Sequence, residues 1–80
     1  MQVGCGFRIK DVGGHRYVYF WHYEDRAGRS RQVYEYIGPC RAASTADRLQ
    51  LALDRYYASA EEDLRRQRVR ARASIARLGA

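Results

Sequence analysis

Proline and lysine are almost absent from this 80-residue sequence, which contains one of each, Pro39 and Lys10. It has no run of about 18 apolar residues, which excludes a membrane-spanning helix. Its first residues lack a basic segment followed by an apolar stretch, so we expect no signal peptide and a cytoplasmic protein. Its two cysteines, Cys5 and Cys40, form no CxxC or Cys/His spacing, so no metal site is indicated. Two buried thiols are the simplest expectation, and a disulfide between them is the alternative.

Catalytic patterns are missing as well. His15 and His22 are seven residues apart on one predicted strand and therefore point to opposite faces of the sheet. Cys5 and His22 are neighbours in the predicted hairpin, but no residue supplies the orienting acid or the oxyanion hole that a nucleophile needs. The glycines do not form a phosphate-binding loop followed by a helix. We therefore expect neither an enzyme nor a bound cofactor.

The net charge of +6 comes from one end of the chain. Residues 1–64 contain nine basic and nine acidic side chains, whereas residues 65–80, the basic end, contain six arginines and no acid. Clustered arginines neutralise phosphates and release condensed counterions, so a neutral body with a basic end is typical of a protein that binds a polyanion. A solvated helix face is the alternative. The six arginines are Arg65, Arg66, Arg68, Arg70, Arg72 and Arg77.

The first half of the chain predicts three antiparallel strands, at residues 3–12, 15–24 and 29–37. All three are rich in β-branched and aromatic residues. Gly13-Gly14 is typical of a two-residue hairpin turn, because both turn positions need a positive φ. A four-residue turn at 25–28 is predicted between the second and third strands, and Gly38-Pro39 ends the third.

The second half predicts one long helix at residues 44–78. Ser44 would begin it, with Asp47 three residues on as in a shortened capping box. No proline or glycine follows until Gly79, so we expect a continuous helix, with a break near Ser59 as the alternative. Apolar residues recur at helical spacing. They stand at positions 46, 49, 53, 56, 60, 64, 71, 75 and 78.

The predicted fold is a single α+β domain over residues 1–80. It consists of a three-stranded antiparallel sheet within residues 1–39, followed by a long C-terminal amphipathic helix. Strand alternation gives this sheet two faces of different chemistry. One face is aliphatic and phenyl, and it is predicted to pack on the helix. That face carries Cys5, Phe7, Ile9, Val18, Phe20, Val33 and Ile37. Its predicted helix contacts are Leu49, Leu53, Tyr56, Ala60 and Leu64.

The opposite side of the sheet, which we name the tyrosine face, is left uncovered by a single helix layer. It carries Arg8, Lys10, Tyr17, Tyr19, Trp21, Tyr23, Gln32, Tyr34 and Tyr36. Aromatic rings stack on bases while cations contact phosphates, so this face and the basic end together predict a nucleic-acid-binding site. A protein or homodimer interface and a core on the tyrosine side are the alternatives. The predicted contacts are Arg8, Lys10, Tyr17, Tyr19, Trp21, Arg29, Arg31, Tyr34, Tyr36, Arg65, Arg66, Arg68, Arg70 and Arg72.

Residues 16–39 (RYVYFWHYEDRAGRSRQVYEYIGP) contain a tyrosine-rich strand, a turn with glycine and arginine, a second basic and aromatic strand, and a closing Ile37-Gly38-Pro39. This pattern resembles a β-hairpin module near the N-terminus of some prokaryotic transposases and archaeal integrase-like proteins. The resemblance covers about a third of the chain, and no recombinase catalytic residues follow it. It implies a DNA-binding accessory module.

We therefore expect a small protein that binds DNA in preference to RNA and associates with the nucleoid. The alternative is a protein-interaction subunit of a larger nucleoprotein, replication or transcription assembly, docking through the tyrosine face. A small core and an apolar stripe that continues past Leu64 also predict a homodimer. Its helices would run antiparallel through residues 60–78, so that Glu61, Glu62 and Asp63 face the arginines of the second copy.

Overall fold

The computed structural model describes residues 3–79, which form one three-stranded antiparallel sheet and one long helix. The strands are β1 (Cys5–Val12), β2 (His15–Arg26) and β3 (Arg29–Pro39), paired in the order β1-β2-β3. The helix α1 (Ala43–Ala76) contains 34 residues and ends in a 3-10 turn at Arg77–Gly79. The predicted α+β fold is confirmed. The helix is also continuous, and no break occurs near Ser59.

Both hairpins close with two-residue turns. Gly13 and Gly14 have φ values of 59° and 83°, as the glycine pair predicts. The predicted four-residue turn at 25–28 is wrong, because only Ala27 and Gly28 form it, with φ values of 50° and 77°. Asp25 therefore belongs to β2, where its carboxylate accepts a hydrogen bond from the hydroxyl of the opposite Ser30 at 3.1 Å.

The shorter turn moves the pairing of β2 with β3 by two residues. Trp21 lies opposite Tyr34, and Tyr19 lies opposite Tyr36, where a longer turn would pair Tyr19 with Tyr34. Strand side chains alternate with a period of two, so a shift of two residues leaves each of them on its predicted face. The tyrosine face therefore has its predicted members but different neighbours.

The end of β3 holds the start of α1. A register irregularity between Val18 and Tyr19 lets β3 continue to Pro39 rather than end before Gly38. The predicted Ser44 cap is wrong, because the cap position is Ala42, which makes no side-chain cap bond. The Thr45 hydroxyl instead donates to the Pro39 carbonyl at 2.6 Å. A side chain at Gly38 would place its Cβ 2.7 Å from that hydroxyl oxygen, so this contact requires glycine.

The core lies between β2, β3 and the first half of α1. Phe20 is 2% exposed, and it forms a buried cluster with Val18 and Ile37. Against this cluster pack Leu49, Ala52 and Tyr56 of the helix and the two cysteines. Both cysteines are free thiols and are half-buried rather than buried, so the alternative disulfide is not observed.

Two strand residues predicted for the core are not covered. Phe7 and Ile9 of β1 are 58% and 49% exposed, and the predicted helix contacts Leu53 and Leu64 are exposed as well. The reason is the path of the helix: α1 starts at the end of β3, where Thr45 contacts Pro39, passes over Phe20, and reaches the residue before β1, where Tyr56 accepts a hydrogen bond from Gly4. The middle of β1 lies beside this path, so Phe7 and Ile9 stay open.

The second half of α1 extends beyond the sheet. Every residue from Glu61 to Gly79 is exposed. The molecule is 66 Å long with a radius of gyration of 17.8 Å, whereas a compact chain of this length would have about 12 Å. No helix within residues 3–79 is both long and apolar enough to cross a membrane.

Candidate nucleic-acid interface

The tyrosine face is the open side of the sheet. The helix packs on the other side, so the alternative of a core on the tyrosine side is wrong. Tyr36 and Tyr34 of β3 are 53% and 41% exposed, and the rings of β2 are half-buried by their neighbours. A ligand approaching this face would therefore meet the rings of β3 first.

Three tyrosines form a continuous ring cluster at one end of this face. The centroid of the Tyr36 ring lies 5.5 Å from that of Tyr19, in an edge-to-face arrangement, and 6.1 Å from that of Tyr17. Such contacts between aromatic rings restrict their orientation. The face thus offers an aromatic surface whose rings hold one another in place, rather than separate mobile side chains.

The basic residues of β1 lie over two rings of the tyrosine face, those of Tyr19 and Tyr34. The Lys10 ammonium is 4.7 Å from the centroid of the Tyr19 ring and 5.9 Å from that of Tyr34, and the Arg8 guanidinium carbon is 5.8 Å from the centroid of Tyr34. All three distances fall within the range of cation–π attraction. Positive charge is therefore held beside flat apolar surfaces, which is the combination that a sugar-phosphate backbone with its bases requires.

Trp21 occupies its position because Gly6 lies opposite it on β1. A Cβ added at Gly6 would lie 2.8 Å from Cζ2 and 2.9 Å from Cε2 of the indole. The indole therefore packs directly over the glycine backbone, and its edge contacts the Tyr23 ring at a centroid distance of 5.7 Å. Sequence reasoning did not single out Gly6, although a lone glycine within a strand pattern indicates close approach by another group.

Two of the predicted contacts, Arg29 and Arg31, do not belong to the tyrosine face. They lie on β3 next to the turn, where they pair with Arg26 and Glu24. Alternation along β3 places odd-numbered residues of this stretch on the opposite side from Tyr34. These two arginines therefore form a separate basic hairpin tip.

The helix arginines are all exposed, and they divide between sides of α1. The side that contacts the sheet runs through Thr45, Ala52 and Tyr56. At 3.6 residues per turn it continues past the sheet through Asp63, Gln67 and Arg70. Arg70 therefore points toward the side of the molecule on which the sheet lies. The remaining predicted helix contacts, on other sides of α1, are Arg65, Arg66, Arg68 and Arg72.

Ion pairs in this region are weak. Glu62 lies 3.5 Å from the Arg66 guanidinium and 4.0 Å from that of Arg65, and all three side chains are about half or more exposed. Exposed pairs of this kind contribute roughly 0–1 kcal/mol. A phosphate can therefore replace the Glu62 carboxylate at little cost.

Other surfaces offer less to a polyanion. The open groove between α1 and β3 carries both signs of charge, with Glu24 and Glu35 beside Arg48 and Arg55. Within residues 3–79, no three His, Cys, Asp or Glu side chains come close enough to hold a metal ion. No protein-family model matches this chain, and neither a curated protein nor a solved structure shows significant similarity to it.

Proposed function

We propose that this protein binds nucleic acid, and DNA in preference to RNA, without catalysing a reaction on it. The observation that carries the proposal is the placement of the Lys10 ammonium 4.7 Å from the ring of Tyr19 on an open aromatic face. Rings on such a face stack on bases or sugars, and the cations beside them contact phosphates. DNA is favoured by the resemblance of residues 16–39 to a transposase hairpin module, and binding of DNA would place the protein with the nucleoid.

The arginine helix supplies a second contact surface. Arg70 points to the side of α1 on which the sheet lies, and nothing of the sheet remains beneath it because α1 is exposed from Glu61 onward. A strand that lies along the tyrosine face can therefore continue beneath the helix extension.

Titration of the chain with labelled oligonucleotides tests this function directly. Fluorescence anisotropy with single- and double-stranded DNA and RNA of equal length, at several salt concentrations, should give binding whose log K falls linearly with log salt. About five phosphate contacts predict a slope of roughly −4 to −5 on duplex DNA. Absence of binding, or an affinity that does not depend on salt, would contradict the proposal and leave the basic end as a solvated helix face.

Substitution of Tyr36 tests whether the tyrosine face stacks on nucleic acid. Tyr36 is chosen because it is the most exposed ring of the face, at 53%. We expect Tyr36→Ala to weaken nucleic-acid binding by about 1–3 kcal/mol while the fold stays intact. Tyr36→Phe, the matched control, keeps the ring and should bind within about 0.5 kcal/mol of the unmodified chain, since the stacking surface is unchanged. If Tyr36→Ala folds and binds nucleic acid normally, stacking on the tyrosine face is contradicted.

A further inference from the structure

The third strand, β3, forms an open edge of the sheet. It stands last in the order β1-β2-β3, so no strand within residues 3–79 pairs with its outer side. Its 11 residues make it long for an edge strand, and before Pro39 it contains neither proline nor lysine, two residues that commonly protect an exposed edge. The helix does not cover it, because an open groove lies between α1 and β3. An edge of this kind is a template for another strand.

The backbone groups at this edge belong to the even-numbered residues. The two-residue turn makes Arg26 and Arg29 a hydrogen-bonded pair. Hydrogen-bonded and non-hydrogen-bonded pairs alternate along an antiparallel ladder, and the pairing with β2 has no irregularity from Arg29 to Tyr36. The amides and carbonyls of the odd-numbered residues in this stretch therefore face β2. Those that point outward belong to Ser30, Gln32, Tyr34 and Tyr36.

The side chains of β3 on the helix side follow one another in the order Arg31, Val33 and Glu35. Arg31 and Glu35 are exposed, and neither takes part in an ion pair among residues 3–79. The order is basic, apolar, acidic, and reversing the strand makes it acidic, apolar, basic. The edge is therefore complementary to a reversed copy of itself, which selects a second copy of this chain as its occupant.

We propose that β3 pairs antiparallel with β3 of a second copy, about a two-fold axis at Val33. In this register Arg31 of each copy lies opposite Glu35 of the other, in a non-hydrogen-bonded pair, where opposing side chains are closest. The two-fold axis repeats this pair, so the dimer contains two of them. The outward backbone groups meet in hydrogen-bonded pairs, Gln32 with Tyr34 and Ser30 with Tyr36. This inference does not rest on nucleic-acid binding.

Neighbouring registers pair fewer of the charges. Odd-numbered residues must lie opposite odd-numbered ones, because any other shift mismatches both the hydrogen bonds and the faces of the sheet. The register centred one residue earlier pairs Glu35 with Arg29 but leaves Arg31 opposite Val33. The register centred one residue later leaves Glu35 opposite Val33. The axis at Val33 is therefore the one that gives both Arg31 and Glu35 a partner.

The proposed dimer contains one six-stranded sheet. Its two-fold axis is perpendicular to the sheet, so both helices lie on one side and both tyrosine faces on the other. Tyr34 and Tyr36, the exposed rings of the tyrosine face, then lie at the centre of a doubled surface. The two copies of Tyr34 are diagonal neighbours about 7–8 Å apart, within reach of aromatic side chains. The antiparallel helix pair predicted from the sequence would instead leave β3 open.

A mixture of two charge variants tests the register in the full chain without nucleic acid. Sedimentation equilibrium should give a dimer for the unmodified protein. Glu35→Arg alone and Arg31→Glu alone should each raise the dimer dissociation constant by about tenfold or more, since each sets like charges opposite each other twice. An equimolar mixture of the two variants should dimerise to within about threefold of the unmodified chain, because the arginines of one variant then meet the glutamates of the other.

Gln32→Pro tests the backbone pairing. The Gln32 amide points away from β2, so proline there removes a hydrogen bond between the copies and none within the sheet of one copy. We expect the dimer dissociation constant to rise by about tenfold or more, while circular dichroism shows that the fold is kept. Gln32→Thr is the matched control, because it keeps the amide, and it should dimerise like the unmodified chain.

The charge control is Asp54→Arg. It changes the net charge as much as Glu35→Arg does, at an exposed position on the side of α1 away from the sheet, and it should leave dimerisation unchanged. A 9.3 kDa monomer at all concentrations would overturn the inference. A dimer that Glu35→Arg leaves intact, or a mixture as weak as the single variants, would overturn it too, because the copies would then pair elsewhere.

Discussion

Replacing Phe20 by alanine should unfold this protein. Phe20 is 2% exposed, and its ring packs against Tyr56 with a centroid distance of 6.4 Å and against His22 with one of 5.6 Å. Truncating a buried phenylalanine costs about 3–5 kcal/mol, because the ring no longer packs against its neighbours and a cavity remains. A domain of this size has a total stability of the same order. Thermal melting followed by circular dichroism should show no folded baseline at about 25 °C.

Phe7→Ala is the matched control, since Phe7 is directly opposite Phe20 on β1 but is 58% exposed. At concentrations where the protein is monomeric, this change should lower the free energy of unfolding by at most about 1 kcal/mol. If both substitutions destabilise the monomer equally, α1 covers β1 as fully as it covers β2, and the core is not centred on Phe20. A folded Phe20→Ala variant would also contradict this assignment of the core.

The two faces of the sheet could be predicted because the face of each side chain depends only on whether its position along the strand is odd or even. Gly13-Gly14 fixes the first hairpin, and all eight pairs from Cys5–His22 to Val12–His15 follow from it. The second hairpin could not be fixed in the same way. Asp25, Arg26, Ala27 and Gly28 all occur in turns, and the short turn needs Ala27 at a positive φ, which alanine rarely adopts.

The position of the helix on the sheet could not be predicted from periodicity. An apolar spacing shows which side of a helix is buried but not which strand lies beneath it. That choice follows from contacts between distant residues, such as the Tyr56 hydroxyl, which accepts a hydrogen bond from the Gly4 amide at 3.0 Å. The exposure of Phe7 is a consequence of the same choice.

The sequence predicts which residue types make up the candidate site. It does not predict how their side chains are arranged. The rings of Tyr19 and Tyr36 share a face because strand side chains alternate. The seating of Lys10 over Tyr19 depends on side-chain conformation, which strand patterns do not determine. Arg29 was predicted as a contact from its charge alone, but it lies at the hairpin tip, away from the rings.

Replacing Arg65, Arg66 and Arg68 together by glutamine should reduce nucleic-acid binding more than any single change. Glutamine keeps helix propensity close to that of arginine, so α1 should persist. Each phosphate that is no longer neutralised lowers the magnitude of the salt slope by about 0.9 on duplex DNA.

The size of the change reports how many of the three arginines contact phosphate. If all three do, the magnitude of the salt slope should fall by about 3 of the roughly 4 to 5 expected for the unmodified chain. A control variant with Arg16, Arg41 and Arg55 as glutamine removes equal charge from exposed positions outside the tyrosine face and the basic end. It should change the slope by less than about 1, because these positions contact no phosphate in the proposed complex. If this control reduces the slope as much as the helix variant does, the nucleic acid responds to net charge alone, and the arginine helix is not its binding surface.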